Sequence, residues 1–231
     1  MRKWMEGVPT LTACAASAAL FSRLPAAGNI DLSPIVPAGI PATGGPVSRV
    51  AVALLTPTVC LGVWILLSLL AKVRGPAKPI PEWWLNEKTG AAAVEKFEPT
   101  YNTIVFSVTA FLLLIHIVLL GSLLGWPQWS YRAATIVFGF GFIAAGNVMP
   151  RVRPNWIVGL RTKRTLSDAS VWSRTHRLLG ALLIGVGSLV IVASLIAPRY
   201  ALITGLIGLL IAFPSAYVWG TRPIPGDVRL T

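Results

Sequence analysis

Charge is scarce in this chain, and acid is scarcer still. Only 12% of residues are Asp, Glu, Lys or Arg, against 55% apolar, about half the charged share of a soluble domain. Eight acids face 20 Lys and Arg, giving a formal charge of +12. None of the acids lies inside a long apolar run, which argues against the intramembrane carboxylates of a proton-coupled pump or a metal-dependent membrane enzyme. Cysteine is limited to Cys14 and Cys60, and histidine to His116 and His176. With no CxxC pair and no clustered His, neither a disulfide framework nor a metal site is expected. HExxH, GxSxG, Walker and GxGxxG patterns are missing too. The reading is therefore non-enzymatic, with no catalytic residue and no cofactor.

What the chain has in quantity is uncharged apolar sequence. Runs near or above the 18 residues needed to cross a bilayer recur along it. They are continuous rather than alternating, which favours helices over a barrel. The pattern predicts an all-α polytopic membrane protein with about six transmembrane helices, over 4–22, 50–71, 102–124, 133–149, 178–197 and 201–219. The first run is short and follows Arg2 and Lys3, so it reads either as a signal peptide or as a first span. The remaining topology works best with a span. Pro57 and Pro214 predict bends. Trp126, Pro127 and Trp129 read as a tight interfacial turn, and Trp83 and Trp84 as headgroup-depth indoles. Gly141 with Ala145, Ala181 with Gly185, and Gly208 with Ala212 are small residues four apart, suited to close helix approach.

Four regions follow. Residues 1–71 form a two-helix module with a Pro/Gly-rich external loop. Residues 72–102 are a linker with a short interfacial helix around 91–97. Residues 103–220 form a four-helix membrane core with a basic loop at 150–177, and 221–231 a short tail. With six spans, 16 Lys and Arg fall on one side and 4 on the other. Basic loops stay in the cytoplasm, so the arrangement is N-in/C-in. Placed there, the charge serves topology and anionic headgroups. No aromatic-basic motif accompanies it, so direct nucleic-acid binding is not expected.

The most distinctive stretch is 147–180. It holds Arg151, Arg153, Arg161, Lys163, Arg164, Arg174 and Arg177 with one acid, Asp168. Pro150 and Pro154 end the preceding helix and keep the chain extended. Gly159 permits a turn or a close backbone approach. Thr165 followed by Asp168 reads as a helix start, with Thr165 as the cap and Asp168 near the positive end of the dipole. Val171, Trp172, Thr175, His176 and Leu179 then recur at spacings of three and four. Such a face can lie on the membrane surface before the chain enters the bilayer near Leu178.

The pattern GNxMPxxRPNxxVGLRTxxTLxDxxVWxxTHRLxG, beginning at Gly146, resembles the signature of the SdpI family of bacterial integral membrane proteins. The resemblance spans about 35 residues and combines many rare positions. It implies a multi-pass protein of the bacterial cytoplasmic (inner) membrane that confers immunity to a secreted peptide toxin. It also implies signal transduction, by binding a cytoplasmic regulator at the membrane. At the N-terminus the resemblance is confined to Pro37, Pro41 and Gly44. The family's His-Trp-Asn-like stretch is not in this loop.

The residues that carry the resemblance are Asn147, Pro150, Pro154, Asn155, Gly159, Arg161, Thr162, Thr165, Trp172, Thr175, His176, Arg177 and Gly180. They read in two ways: as a partner-binding surface or switch, or as a self-contained cap whose polar side chains satisfy helix-end carbonyls. His116, deep in a span, reads either as a site of proton or ligand chemistry or as a neutral imidazole bonded to a neighbouring helix. At the level of function, toxin immunity or signal transfer stands beside a different class, an accessory structural subunit docked on a larger membrane complex. The expected partners are the lipid bilayer, a peptide toxin outside, and a cytoplasmic regulator or complex subunits.

Overall fold

The computed structural model describes residues 7–24, 49–73, 98–124, 127–154 and 158–222. The Pro-rich loop with Pro37, Pro41 and Gly44, the interfacial helix expected around 91–97, Trp83, Trp84, Trp126, Asn155 and the tail beyond Arg222 lie outside the described residues. Seven α-helices make up the described chain: α1 (Val8–Leu20), α2 (Arg49–Val73), α3 (Glu98–Leu123), α4 (Pro127–Val148), a short α5 (Lys163–Ser167), α6 (Ala169–Ile196) and α7 (Ala201–Gly220). Single 3-10 turns at Phe21–Arg23, Met149–Arg151 and Pro198–Tyr200 close α1, α4 and the α6–α7 hairpin. All five of the long helices α2, α3, α4, α6 and α7 are long and apolar enough to cross a membrane.

Two boundaries differ from the sequence reading. α1 has 13 described residues, about 20 Å at 1.5 Å per residue, which is less than the roughly 30 Å hydrocarbon layer. Five helices of spanning length are therefore described rather than six. Pro127 opens α4 and Trp129 lies in its first turn, so these residues are not in a loop. Proline at a helix start gives up an N–H that would be unpaired there anyway.

The helices pack in two groups. α1 lies against both α2 and α3, which also touch each other, while α6 is flanked by α4 and α7. α3 joins the groups by packing on α4. Phe111 of α3 meets Phe138 of α4 edge to face at 5.3 Å. At the end carrying residues 149–167, Tyr101, Val105, Val148, Val152, Leu166 and Trp172 form one buried cluster backed by Trp64 and Leu67. The loop between α4 and α5 is thereby packed into the body of the protein and touches both groups.

Close approach of α4 and α6 rests on glycines the spacing rule did not select. A Cβ on Gly146 would lie 2.6 Å from the Gly180 carbonyl, and one on Gly180 would lie 2.6 Å from the Gly146 carbonyl. Two turns along, Gly139 and Gly187 face each other the same way, at 2.8 and 2.5 Å. In lipid, where helices gain nothing by hiding apolar surface from each other, such backbone contact maximises van der Waals packing. Of the expected small residues, Gly141 meets Phe111 and Gly208 meets Val186, but a Cβ on Gly185 would meet nothing within 4 Å. Ala181 is exposed as well, so the pair Ala181 and Gly185 faces away from the bundle.

Candidate functional site

The signature residues assemble around the first turns of α6. α6 is 28 residues long, about 42 Å, and so exceeds the hydrocarbon layer. Asp168 is its N-cap: the carboxylate accepts from the Ser170 N–H at 2.7 Å and from Val171 at 3.3 Å. Thr165 is therefore not the cap of this helix. It is the third residue of α5, in a reciprocal capping box with Thr162. The Thr162 Oγ1 accepts from the Thr165 N–H (3.2 Å), and Thr165 Oγ1 accepts from the Thr162 N–H (2.9 Å). The sequence reading put a single cap at Thr165, but two helices start here, α5 capped by Thr162 and α6 by Asp168. The Thr165 hydroxyl instead also reaches the Leu160 carbonyl at 2.7 Å.

The face Val171, Trp172, Thr175, His176 and Leu179 is buried. It does not lie on a membrane surface, because a strap, residues 150–154 and 158–160, folds back over it. Trp172 is 2% exposed, and its indole N–H donates to the Val152 carbonyl at 2.7 Å. The His176 ring stacks on Trp172, with centroids 3.9 Å apart. His176 Nε2 accepts from the Leu160 N–H at 3.0 Å, so Nε2 carries no proton. Nδ1–H then donates to the Trp172 carbonyl at 2.8 Å. The imidazole is thus neutral, with its tautomer set by the network. Leu160 is held at both ends of its backbone, its N–H by His176 and its C=O by Thr165.

Gly159 is what lets the strap approach. Its φ is +110°, and among the described residues it alone has a positive φ. An added Cβ would collide with His176 Nε2 and come within 3.2 Å of Trp172, so both its conformation and its neighbours demand glycine. Pro150 sits against Gly180, where a Cβ would lie 3.0 Å from the proline Cδ. Thr175 is wholly buried beneath Gly220 of α7. Asn147 is exposed, and its carbonyl accepts from Arg151 Nη2 at 3.1 Å, as the self-contained cap would have it. Pro154 is half-buried. Arg161 and Arg177 are exposed, as are Arg151, Arg153, Lys163 and Arg164.

The structure therefore divides the signature. Thr165, Trp172, Thr175, His176 and Gly180 are buried framework, while Arg161 and Arg177 remain on the surface among other cations. Val152 and Leu160, whose backbone groups complete the framework, could not be read from the sequence, because a carbonyl acceptor has no residue-type signal.

His116 is not part of this assembly. It lies on α3 about 15 Å along the helix from Val105, in the α1–α2–α3 group, and is wholly buried. Pro57 has no N–H to give the carbonyl four residues before it, so the Ala53 carbonyl lacks its helical partner. The Ser17 hydroxyl of α1 donates to that carbonyl at 2.7 Å. Having spent its proton, Ser17 Oγ accepts from His116 Nε2–H at 2.8 Å. His116 thus completes a polar chain across three helices. Ser17 and Ala53 went unremarked in the sequence; the proline four residues after Ala53 was the available signal. Cys14 and Cys60 are both free thiols.

Spanning helices with irregular backbone folded against protein define a polytopic all-α membrane protein in a lipid bilayer. Its second half is more specific: residues 151–219 match the model of the SdpI/YfhL protein family, which bears out the resemblance read from the signature. The match takes in the strap, α5, α6 and nearly all of α7. No curated protein and no solved structure matches the chain.

Proposed function

We propose that this membrane protein works by binding rather than catalysis, and that the exposed cations of the strap and α5 form its docking surface. The observation that carries this is the division of the signature. Buried Trp172, His176 and Thr165 fix the backbone of a segment whose surface bears Arg151, Arg153, Arg161, Lys163 and Arg164. A loop needed only to place charge beside headgroups requires no such fixation. Asp168 is the sole acid from residue 99 to 226, so an acidic partner surface is the complementary one.

The excess of Lys and Arg in the loops at this end supports a cytoplasmic placement of this surface, and the family resemblance supports a bacterial membrane as its setting. Similarity to the SdpI/YfhL family supports immunity to a peptide toxin, signal transfer to a cytoplasmic regulator, or both, as the purpose of that binding. The test is copurification in mild detergent with Arg161→Lys beside the unsubstituted protein, at matched membrane abundance. A soluble cytoplasmic protein lost from the variant supports the proposal, because a planar guanidinium forks onto carboxylates as an ammonium cannot. An identical set of companions from both proteins sinks it. Integral membrane subunits in that set would instead favour an accessory role in a larger complex. Topology is checked separately: a cysteine placed at Lys163 should resist a membrane-impermeant thiol reagent in intact cells.

A further inference from the structure

At the foot of α6 and α7, at the same end of the bundle as the strap, the Arg174 guanidinium reaches the main chain of Arg222, just past the end of α7. Gly220 packs directly on Thr175, which seats the end of α7 against the first turns of α6. Arg174 Nη1 donates to the Arg222 carbonyl at 3.4 Å. Its Nε is shielded from solvent and has no hydrogen-bond partner among the described residues. The Arg222 guanidinium lies over the Trp219 ring, 4.2 Å from its centroid. Trp219 is 62% exposed at the end of a spanning helix, the depth at which indoles settle among headgroups. The acid nearest to Arg174 in sequence, Asp168, is engaged in capping α6, and the one nearest to Arg222, Asp227, lies outside the described residues.

A buried N–H of a charged group without an acceptor is costly, and its planar fork matches phosphate oxygens. Stacking on Trp219 holds Arg222 in a set direction. We propose that Arg174 and Arg222 form a binding site for a phosphate group, supplied by the phosphodiester of an anionic lipid in the leaflet at this end. The site is separate from the docking surface and does not depend on it. Trp219 fixes its depth and the two arginines supply the donors.

The experiment uses the full chain in nanodiscs of phosphatidylcholine, titrated with phosphatidylglycerol and followed by thermal unfolding. Phosphatidylglycerol should raise the midpoint saturably. Arg222→Gln should weaken the apparent affinity about fivefold, the weight of one cation at an anionic surface. That variant keeps the Arg174 bond, which goes to the main-chain carbonyl, so it should fold where Arg174→Gln fails. Arg199→Gln, at the opposite end of α7, should leave the response unchanged. A parallel titration with inorganic phosphate in pure phosphatidylcholine identifies the source: a midpoint rise there that Arg222→Gln weakens assigns the same chemistry to free phosphate. No response to either ligand, a response indifferent to Arg222→Gln, or an equal loss in Arg199→Gln overturns the site.

Discussion

In the α1–α2–α3 group the helices are tied by a polar chain, from the Ala53 carbonyl through Ser17 to His116, whereas α4 and α6 meet through paired glycines. Both answer the same difficulty. Lipid is as apolar as a leucine side chain, so helices need another reason to associate. In the first group Pro57 creates a carbonyl that no water can reach, and neighbouring helices must supply the donor. In the second, the absence of side chains at Gly139, Gly146, Gly180 and Gly187 lets two backbones touch. The difference teaches where each group tolerates change. Close packing fails when atoms are added, and a hydrogen-bonded chain fails when one is removed. The family match begins at residue 151, so it takes in Gly180 and Gly187 but not their partners on α4, and the polar staple lies wholly outside it.

The largest effect should come from filling the glycine contact. Gly180→Leu places a Cβ 2.6 Å from the Gly146 backbone and meets Pro150 as well. A loss of about 3 kcal/mol is expected, at the upper end for overpacking, and it should appear as a collapsed thermal midpoint in detergent. A near-normal midpoint would show that α4 and α6 can separate freely, and the comparison would break.

Ser17→Ala comes next, at about 2 kcal/mol, because it orphans a buried carbonyl and a ring N–H together. Its sharper form is a rescue. Pro57→Ala added to Ser17→Ala restores an N–H four residues after Ala53, so at least half of the lost stability should return. If the double variant is worse than the single, the carbonyl freed by proline is not what Ser17 serves.

His116→Leu should cost about 1 kcal/mol, the usual weight of an interhelical hydrogen bond in lipid. His116→Gln keeps a donor and should lose less. A Gln variant that folds and inserts normally yet loses all activity would point instead to proton or ligand chemistry at the imidazole.

The smallest effect is expected at Gly185→Ala, within about 0.5 kcal/mol, since the new methyl group meets nothing within 4 Å. Set beside Gly187→Ala, where the Cβ lies 2.5 Å from the Gly139 carbonyl, it isolates packing from composition. Equal changes at the two positions would mean that the Gly139 contact carries no weight, leaving only the gain in helix propensity that alanine brings to both.

Much of the fold was legible because hydropathy speaks directly in membrane proteins. Long uncharged runs cannot satisfy their backbone in lipid except as helices, and each of the last five runs became one. Helix ends were less legible: one helix start was read at Thr165, whereas α5 and α6 each begin there with their own caps, Thr162 and Asp168, because several polar residues in a row offer more than one cap. The signature residues were found as a group, yet their roles were not. Trp172 and His176 occupy an amphipathic spacing that suits a membrane surface and a protein core equally well, and only the strap over them decides which.

By itself, then, the sequence determined the class of the protein, the places of the last five long apolar helices and the stretch where the signature lies. Each of these depends on local composition and on residue order alone. The tertiary structure decided which glycines touch, which hydroxyl meets the carbonyl freed by Pro57, and which nitrogen of His176 carries the proton. Those outcomes depend on partners far apart in the chain. His116 and Ser17 are separated by 99 positions, and Leu160 and His176 by 16. No local pattern can encode a hydrogen bond whose partner is brought near only when the helices have packed.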